Sequence, residues 1–130
     1  MLRTYFAILG TFALAAAAQG QPTVVPGITA KEIRIGNTTP YSGAASSLGL
    51  VGRVMAPHFQ MLNEQGGVNG RQISFITLDD GFSPSKTVEQ TRRLVENDNV
   101  AFVYGTMGTT PSSAIQKYLN VAKTPHRNSL

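Results

Sequence analysis

Segments with the patterns of β-strands and α-helices alternate along this chain, and that alternation limits the folds it can adopt. Short apolar segments at 31–39, 72–78 and 100–104 have the period-two alternation or the apolar content of strands. Each is followed by a segment in which apolar residues recur every three to four positions, as on one face of a helix. Strands separated by single helices must run parallel, with right-handed crossovers. We therefore predict an α/β fold, with an open parallel sheet in three layers.

Proline and hydroxyl residues set the predicted helix boundaries. Pro57 lies inside the first helical pattern and should kink or divide that helix. Ser83 and Pro84 predict the start of the second helix, with the serine as N-cap and the proline in the first helical position. Thr110 and Pro111 repeat this pattern, so the third helix is predicted to begin at about the proline.

The first residues have the composition of an export signal. Arg3 supplies a short positive segment, and Tyr5 to Ala18 form an uncharged run that is shorter than the roughly 18 apolar residues a bilayer span needs. Small residues precede a cleavage point before Gln19. Residues 1–18 are therefore predicted to be a cleaved signal peptide and residues 19–30 an irregular leader. The mature chain is expected to be periplasmic or secreted.

Composition argues against several classes of function. The chain has no Cys, which excludes a thiolate metal site and a Cys nucleophile. Its 2 His are too few for a His-rich metal centre. The formal net charge is +4, but the basic residues are dispersed, which argues against nucleic-acid binding. Dinucleotide, phosphate-loop and nucleophile-elbow motifs are missing from the sequence. We expect no cofactor, no metal and no catalytic residue, and hence a protein that is not an enzyme.

Two loops at the carboxyl ends of predicted strands are the best candidates for a binding site. Ligands of open parallel sheets bind there, where the winding direction reverses. If strand 1 lies between strands 2 and 3, the loop Pro40–Gly43 lies beside the loop Thr106–Thr110. The helix N-terminus after the second loop suits a carboxylate or phosphate, and Thr109 adds a hydroxyl. Tyr41 offers an apolar wall with a polar tip.

The residues of these loops also admit simpler interpretations, which stay open at this point. Thr110 can cap the third helix while its neighbours are solvated, and Tyr41 can pack on its own loop as a surface aromatic. Asp79 and Asp80 end strand 2, where acidic pairs form phospho-acceptor or metal sites. A receiver-type site also needs an acid at the end of strand 3, where Tyr104 stands. We expect Asp79 to tether the loop before the second helix instead.

Five motifs, in order, resemble those of the branched-chain amino-acid binding proteins of ABC transporters, which are type I periplasmic binding proteins. The motifs are Gly27–Gly36, Pro40–Gly43, Asn63–Arg71, Leu78–Gly81 followed by Pro84, and Gly105–Thr109. The resemblance covers about residues 27–125. It implies a non-catalytic protein that binds a small amino acid or related carboxylate and delivers it to an ABC permease in the membrane. It also implies that Met107, Gly108 and Thr109 bind the carboxylate, with Tyr41 as a wall.

The resemblance sets further expectations for the end of the chain. Members of that family close two lobes on the ligand, whereas residues 31–130 correspond to an incomplete N-terminal lobe. After His126 the chain does not continue the expected apolar fourth strand. We therefore expect a truncated chain with impaired binding, in which strand 3 forms an open sheet edge. The alternative function is that of a ligand-sensing domain of a membrane receptor with the same fold.

Overall fold

The computed structural model of the protein describes residues 24–128, in which strands and helices alternate. The elements are β1 (Glu32–Thr39), α1 (Leu50–Glu64), β2 (Gln72–Asp79), α2 (Pro84–Glu96), β3 (Phe102–Tyr104), α3 (Thr109–Val121) and β4 (His126–Arg127). A short 3-10 helix, Ser46–Gly49, leads into α1. The predicted signal peptide, 1–18, and the first part of the predicted leader lie outside the described residues. None of the helices between residues 24 and 128 has the length and apolar character needed to cross a membrane.

The sheet is parallel and open, with the strand order β2-β1-β3-β4. The central strand β1 pairs with β2 along its full length, from Glu32 beside Gln72 to Thr39 beside Asp79. The winding therefore reverses at β1, which is the condition on which the predicted two-loop site depended. This order brings the loop after β1 next to the loop after β3.

The prediction that strand 3 forms an open edge is wrong. β4 is short, but it pairs Val103 of β3 with His126. The N–H groups of Val103 and Gly105 donate to the Pro125 and Arg127 carbonyls, each at 2.9 Å. β4 has no apolar pattern in the sequence because backbone groups make this pairing, and they do not depend on side-chain polarity.

The apolar core lies between the sheet and the pair α2 and α3. Leu94 of α2 and Ile115 and Leu119 of α3 are buried there with Val103 of β3 and the adjoining Val100. The opposite face of the sheet is covered by α1, which packs over β1 and β2. The two faces therefore have different partners, and this decides where each loop at the carboxyl edge can place its side chains.

One helix boundary and one N-cap bond differ from prediction, and one expected break is missing. α1 continues through Pro57 without being divided, because the helix is also held by its packing on the sheet. α2 begins at Pro84 with Ser83 in the N-cap position, as predicted, but the Ser83 hydroxyl does not bond to the helix backbone. α3 begins at Thr109, so Thr110 lies inside the first turn and is not the cap. Gly108, with φ of 90°, makes the turn that starts α3 early, in a conformation that glycine adopts most easily.

Candidate ligand-binding site

The two loops predicted to form a site meet at the carboxyl edge of the sheet. We call residues 40–45, after β1, the β1 loop, and residues 105–108, after β3, the β3 loop. The Thr38 hydroxyl, near the end of β1, donates to the Thr106 hydroxyl of the β3 loop at 3.2 Å, and both side chains are buried. The adjacency expected from the strand order is therefore confirmed.

A chain of hydrogen bonds through three strands fixes the side chain of Tyr41. The fully buried Asn37 donates to the Tyr104 carbonyl at 2.9 Å and accepts from the Thr77 hydroxyl at 2.8 Å. Because that bond uses the only proton of the Thr77 hydroxyl, the Tyr41 hydroxyl must be the donor in its 2.7 Å bond to Thr77. The polar tip of Tyr41 is therefore directed into the fold, and its ring is the part that can contact a ligand.

Gly52 of α1 makes room for the Tyr41 ring. A side chain at this position would collide with the Tyr41 hydroxyl. The tyrosine therefore packs between α1 and the end of β2, and not on its own loop. This arrangement places Tyr41 on the α1 side of the sheet.

Asp79 ties the β1 loop to the loop before α2. One carboxylate oxygen accepts from the N–H groups of Tyr41, Ser42 and Gly81 at 2.9, 3.1 and 3.0 Å. The other accepts from the Ser42 hydroxyl at 2.6 Å and the Lys86 ammonium at 3.1 Å. The Ser42 hydroxyl above all, helped by the Gly81 N–H and Lys86, holds the pKa of the Asp79 carboxyl well below its usual range despite some desolvation.

The carboxylates of Asp79 and Asp80, at the end of β2, are both hydrogen-bonded within the protein. Asp80 is fully buried and accepts from the Phe82 N–H at 2.9 Å and the Thr87 hydroxyl at 3.0 Å. Asp79 tethers the loop before α2 as expected, and it also binds the β1 loop, which the sequence did not indicate. Across residues 24–128, no cluster of three His, Cys, Asp or Glu side chains could hold a metal ion.

The N-terminus of α3 presents unsatisfied donors. No side chain caps this helix and its first turn contains no acidic residue. The Ser112 N–H bonds to the Gly108 carbonyl at 3.1 Å, whereas the N–H groups of Thr109 and Thr110 precede any acceptor within the helix. The side chains of both threonines are exposed. Met107 and Gly108, which lead into this turn, are half-buried. Such a helix end attracts a small anion.

The structure brings the two loops together but does not place Tyr41 and Thr109 in one cavity. Thr109 lines a groove of about 340 Å³ between α3 and β4, together with hydroxyl and amide side chains such as Ser112 and Gln116. Tyr41 lines an open cavity of about 500 Å³ beside α1. The separation arises because α1 and α3 pack on opposite faces of the sheet.

Sequence reasoning missed the residues that surround Tyr41. Ser46, Ser47, Leu50 and Arg53 line its cavity. The Arg53 guanidinium carbon lies 5.4 Å from the centre of the Tyr41 ring. The helical spacing of Leu50 and Arg53 places them on one side of α1. Only the fold could show that this side meets the β1 loop.

Comparisons with known proteins agree with this fold. The family described as periplasmic binding protein matches residues 32–128. An amino acid binding protein of Pseudomonas aeruginosa is 31% identical over 88 residues, which are 65% of this chain and 24% of that protein. The chain thus spans about a quarter of the length of the relatives it matches.

Solved structures give the same result. The branched-chain amino acid transporter substrate binding protein of Streptococcus pneumoniae, in complex with isoleucine, has a TM-score of 0.68 and 25% identity, over 74% of this chain and 28% of that one. A solute binding protein of an ABC transporter from Rhodopseudomonas palustris, in complex with 3,4-dihydroxy benzoic acid, has a TM-score of 0.65 and 25% identity, over 73% of this chain and 26% of that one. The match to the family, which covers residues 32–128 and so most of the chain, shows that this chain belongs to the periplasmic binding protein family.

Proposed function

We propose that this chain is the extracytoplasmic solute-binding component of an ABC importer, and that it binds a small amino acid or related carboxylate without catalysis. The observation that carries the proposal is the uncapped N-terminus of α3, where the N–H groups of Thr109 and Thr110 have no acceptor within the helix. Membership of the family supports the transport role.

The chemistry of the relatives' ligands supports a carboxylate. Isoleucine and 3,4-dihydroxy benzoic acid, bound by the two solved relatives, differ in shape and polarity but share this group. A site that holds the shared group through backbone N–H donors can serve ligands with different bodies, because backbone groups recognise the anion and not the rest of the molecule.

In this proposal, Met107, Gly108 and Thr109 form the carboxylate site. The backbone of these residues leads into the first turn of α3, and the exposed Thr109 hydroxyl adds a donor. The ring of Tyr41, whose position is fixed by Thr77, lies at the same edge of the sheet but lines the separate cavity beside α1. The charge-assisted bonds of an anion to N–H and O–H donors provide the affinity.

The role of an exported solute-binding protein also suggests how the chain is divided into segments. Residues 1–18 are a signal peptide that directs the chain to the periplasm or outside the cell, residues 19–30 are a leader, and residues 31–130 form part of the N-terminal lobe. The partners are the ligand and an ABC permease in the membrane. Because one lobe supplies only part of the contacts, we expect a dissociation constant on the order of millimolar or weaker.

The test is a nuclear magnetic resonance titration of the ¹⁵N-labelled 130-residue chain with isoleucine and with isoleucinol, which lacks the carboxylate. Isoleucine should shift the amide signals of Gly108 and Thr109 in a saturable way, and isoleucinol should not. Thr109→Ala should weaken the isoleucine response, whereas Ser85→Ala, which removes an exposed hydroxyl from the first turn of α2, should leave it unchanged. Equal responses to the two compounds would contradict a carboxylate site.

A further inference from the structure

The cavity beside α1 has the chemical character of a second binding site. Its lining combines one cation, two hydroxyls and two apolar surfaces, contributed by Arg53, Ser46, Ser47, Tyr41 and Leu50. The volume of about 500 Å³ is large enough for a small organic molecule. The cavity lies on the α1 side of the sheet, away from α3.

Arg53 has no acidic partner in the described part of the chain. None of the ion pairs between residues 24 and 128 includes it. The other arginine placed over a tyrosine differs in this respect. Arg92 lies 5.0 Å from the Tyr118 ring centre, and the Tyr118 hydroxyl donates to the Glu96 carboxylate at 2.8 Å. The Arg92–Tyr118 pair thus has a carboxylate beside it. The Arg53–Tyr41 pair has none, so the charge of Arg53 is available for an external anion.

The aromatic wall of the cavity is held in place before any ligand arrives. The Tyr41 hydroxyl is bonded to Thr77, and the Tyr41 N–H is bonded to Asp79 at 2.9 Å. Gly52, behind the ring, leaves no room for a larger residue. A wall that is already ordered costs little additional entropy when a ligand binds.

We propose that this cavity binds the anionic end of a small organic acid, with the apolar part of the ligand against Tyr41 and Leu50. The planar guanidinium of Arg53 suits a carboxylate, to which it donates two parallel hydrogen bonds, and the hydroxyls of Ser46 and Ser47 supply further donors. This subsite goes beyond the carboxylate site at the α3 N-terminus, because α1 and α3 lie on opposite faces of the sheet.

The experiment is a titration of the ¹⁵N-labelled 130-residue chain with benzoate, with benzyl alcohol as the neutral analogue and with inorganic phosphate as an anion without an apolar part. Benzoate should shift the amide signals of Tyr41, Ser46 and Ser47 in a saturable way. Benzyl alcohol should bind about tenfold more weakly, since it loses the charge-assisted bonds. Phosphate should also bind more weakly, because it does not cover the ring.

Matched arginine variants locate the charge that binds benzoate. Arg53→Gln should weaken the benzoate response at Tyr41 about tenfold, and Arg53→Lys, which keeps the charge but loses the paired donors, should have an intermediate effect. Arg92→Gln alters the comparable arginine–tyrosine pair and should leave the response unchanged. Equal benzoate binding by Arg53→Gln and the unaltered chain would overturn the proposal. Phosphate binding as tight as that of benzoate would overturn the assignment to an organic acid.

The two sites can fail independently. Thr109→Ala should leave the benzoate shifts at Tyr41 and Ser46 intact. Loss of ligand-induced shifts at Gly108 alone would count against the carboxylate site at α3 and not against this cavity. Absence of shifts at Ser46 and Ser47, with isoleucine still shifting Gly108, would overturn the cavity proposal alone.

Discussion

The β1 loop and the start of α3 lie at the same edge of the sheet, but their polar groups are satisfied in opposite ways. In the β1 loop, the Tyr41 and Ser42 N–H groups and the Ser42 hydroxyl all bond to Asp79, and the Tyr41 hydroxyl bonds to Thr77. In the turn that follows the β3 loop, the first N–H groups of α3 have neither a side-chain cap nor an acceptor within the helix.

This difference indicates a division of roles between the β1 loop and the start of α3. A loop whose donors are used internally offers a fixed surface, and a helix start whose donors are unused offers binding capacity for an anion. Changes to the bonds that fix the β1 loop should therefore alter stability more than changes to the residues that precede α3 and α2.

The largest effect should come from Asn37→Ala. This change removes both ends of a buried bridge between β1, β2 and β3, and it leaves the Tyr104 carbonyl and the Thr77 hydroxyl without that partner. We expect a loss of about 3 kcal/mol in the free energy of unfolding, because unsatisfied buried polar groups and a cavity both cost stability. Urea unfolding followed by circular dichroism measures this loss of stability. A loss below about 1 kcal/mol would show that the bridge does not hold the strands together.

Asp79→Asn should have the next largest effect. The amide carries no charge and cannot accept at both ends, so the β1 loop and Lys86 lose their shared acceptor. We expect a loss of about 2 kcal/mol in the free energy of unfolding. Asp98→Asn is the matched control, since the Asp98 carboxylate is 3.8 Å from an exposed arginine, Arg93, and such a pair contributes less than about 1 kcal/mol. Equal losses in both variants would contradict the role of Asp79.

The same carboxylate should make stability depend on pH. The pKa of Asp79 is lower in the folded protein than its ordinary value of 3.8, so the contribution of this group is present above pH 3.8 and is lost as the pH falls toward the folded-state pKa. The difference in stability between the unaltered chain and Asp79→Asn should therefore shrink as the pH is lowered from 5 through the acidic range. Unfolding measured at several pH values tests this. A constant difference would show that the carboxylate is not responsible.

Gly108→Ala should disturb the β3 loop with a smaller effect. Its φ of 90° strains any other residue, and an added methyl group would press on the Phe82 ring. We expect a loss of about 1–2 kcal/mol in the free energy of unfolding. Gly70→Ala is a control with a similar φ but open space around it, so it should cost less. If both variants lose the same stability, the contact with Phe82 has no effect.

Ser83→Ala should have the smallest effect. The serine occupies the N-cap position of α2, but its hydroxyl does not bond to the helix backbone. We expect a change below about 0.5 kcal/mol, compared with roughly 1 kcal/mol for a serine that caps through its side chain. Thermal unfolding measures the change. A loss of 1 kcal/mol or more would show that the serine does cap α2.

Much of the fold could be predicted because it follows from local patterns of apolar residues in the sequence. The alternation of Ile33 and Ile35 predicted β1, the helical spacing around Ile115 and Leu119 predicted α3, and the strand order expected at the site is confirmed. β4 could not be predicted from an apolar pattern, because backbone pairing with β3 defines it. The candidate site was only partly accessible, since Arg53 gives no local indication that it lies over Tyr41.

The sequence by itself determined which segments are strands and helices, and which loops follow the strands, because periodicity, proline and glycine act over a few neighbouring residues. Only the tertiary structure decided that Tyr41 turns its hydroxyl inward, that Asp79 binds the β1 loop, and that Tyr41 and Thr109 line separate cavities. These features depend on which strands become neighbours and on which face of the sheet each helix packs, and both are set by contacts between residues far apart in the chain.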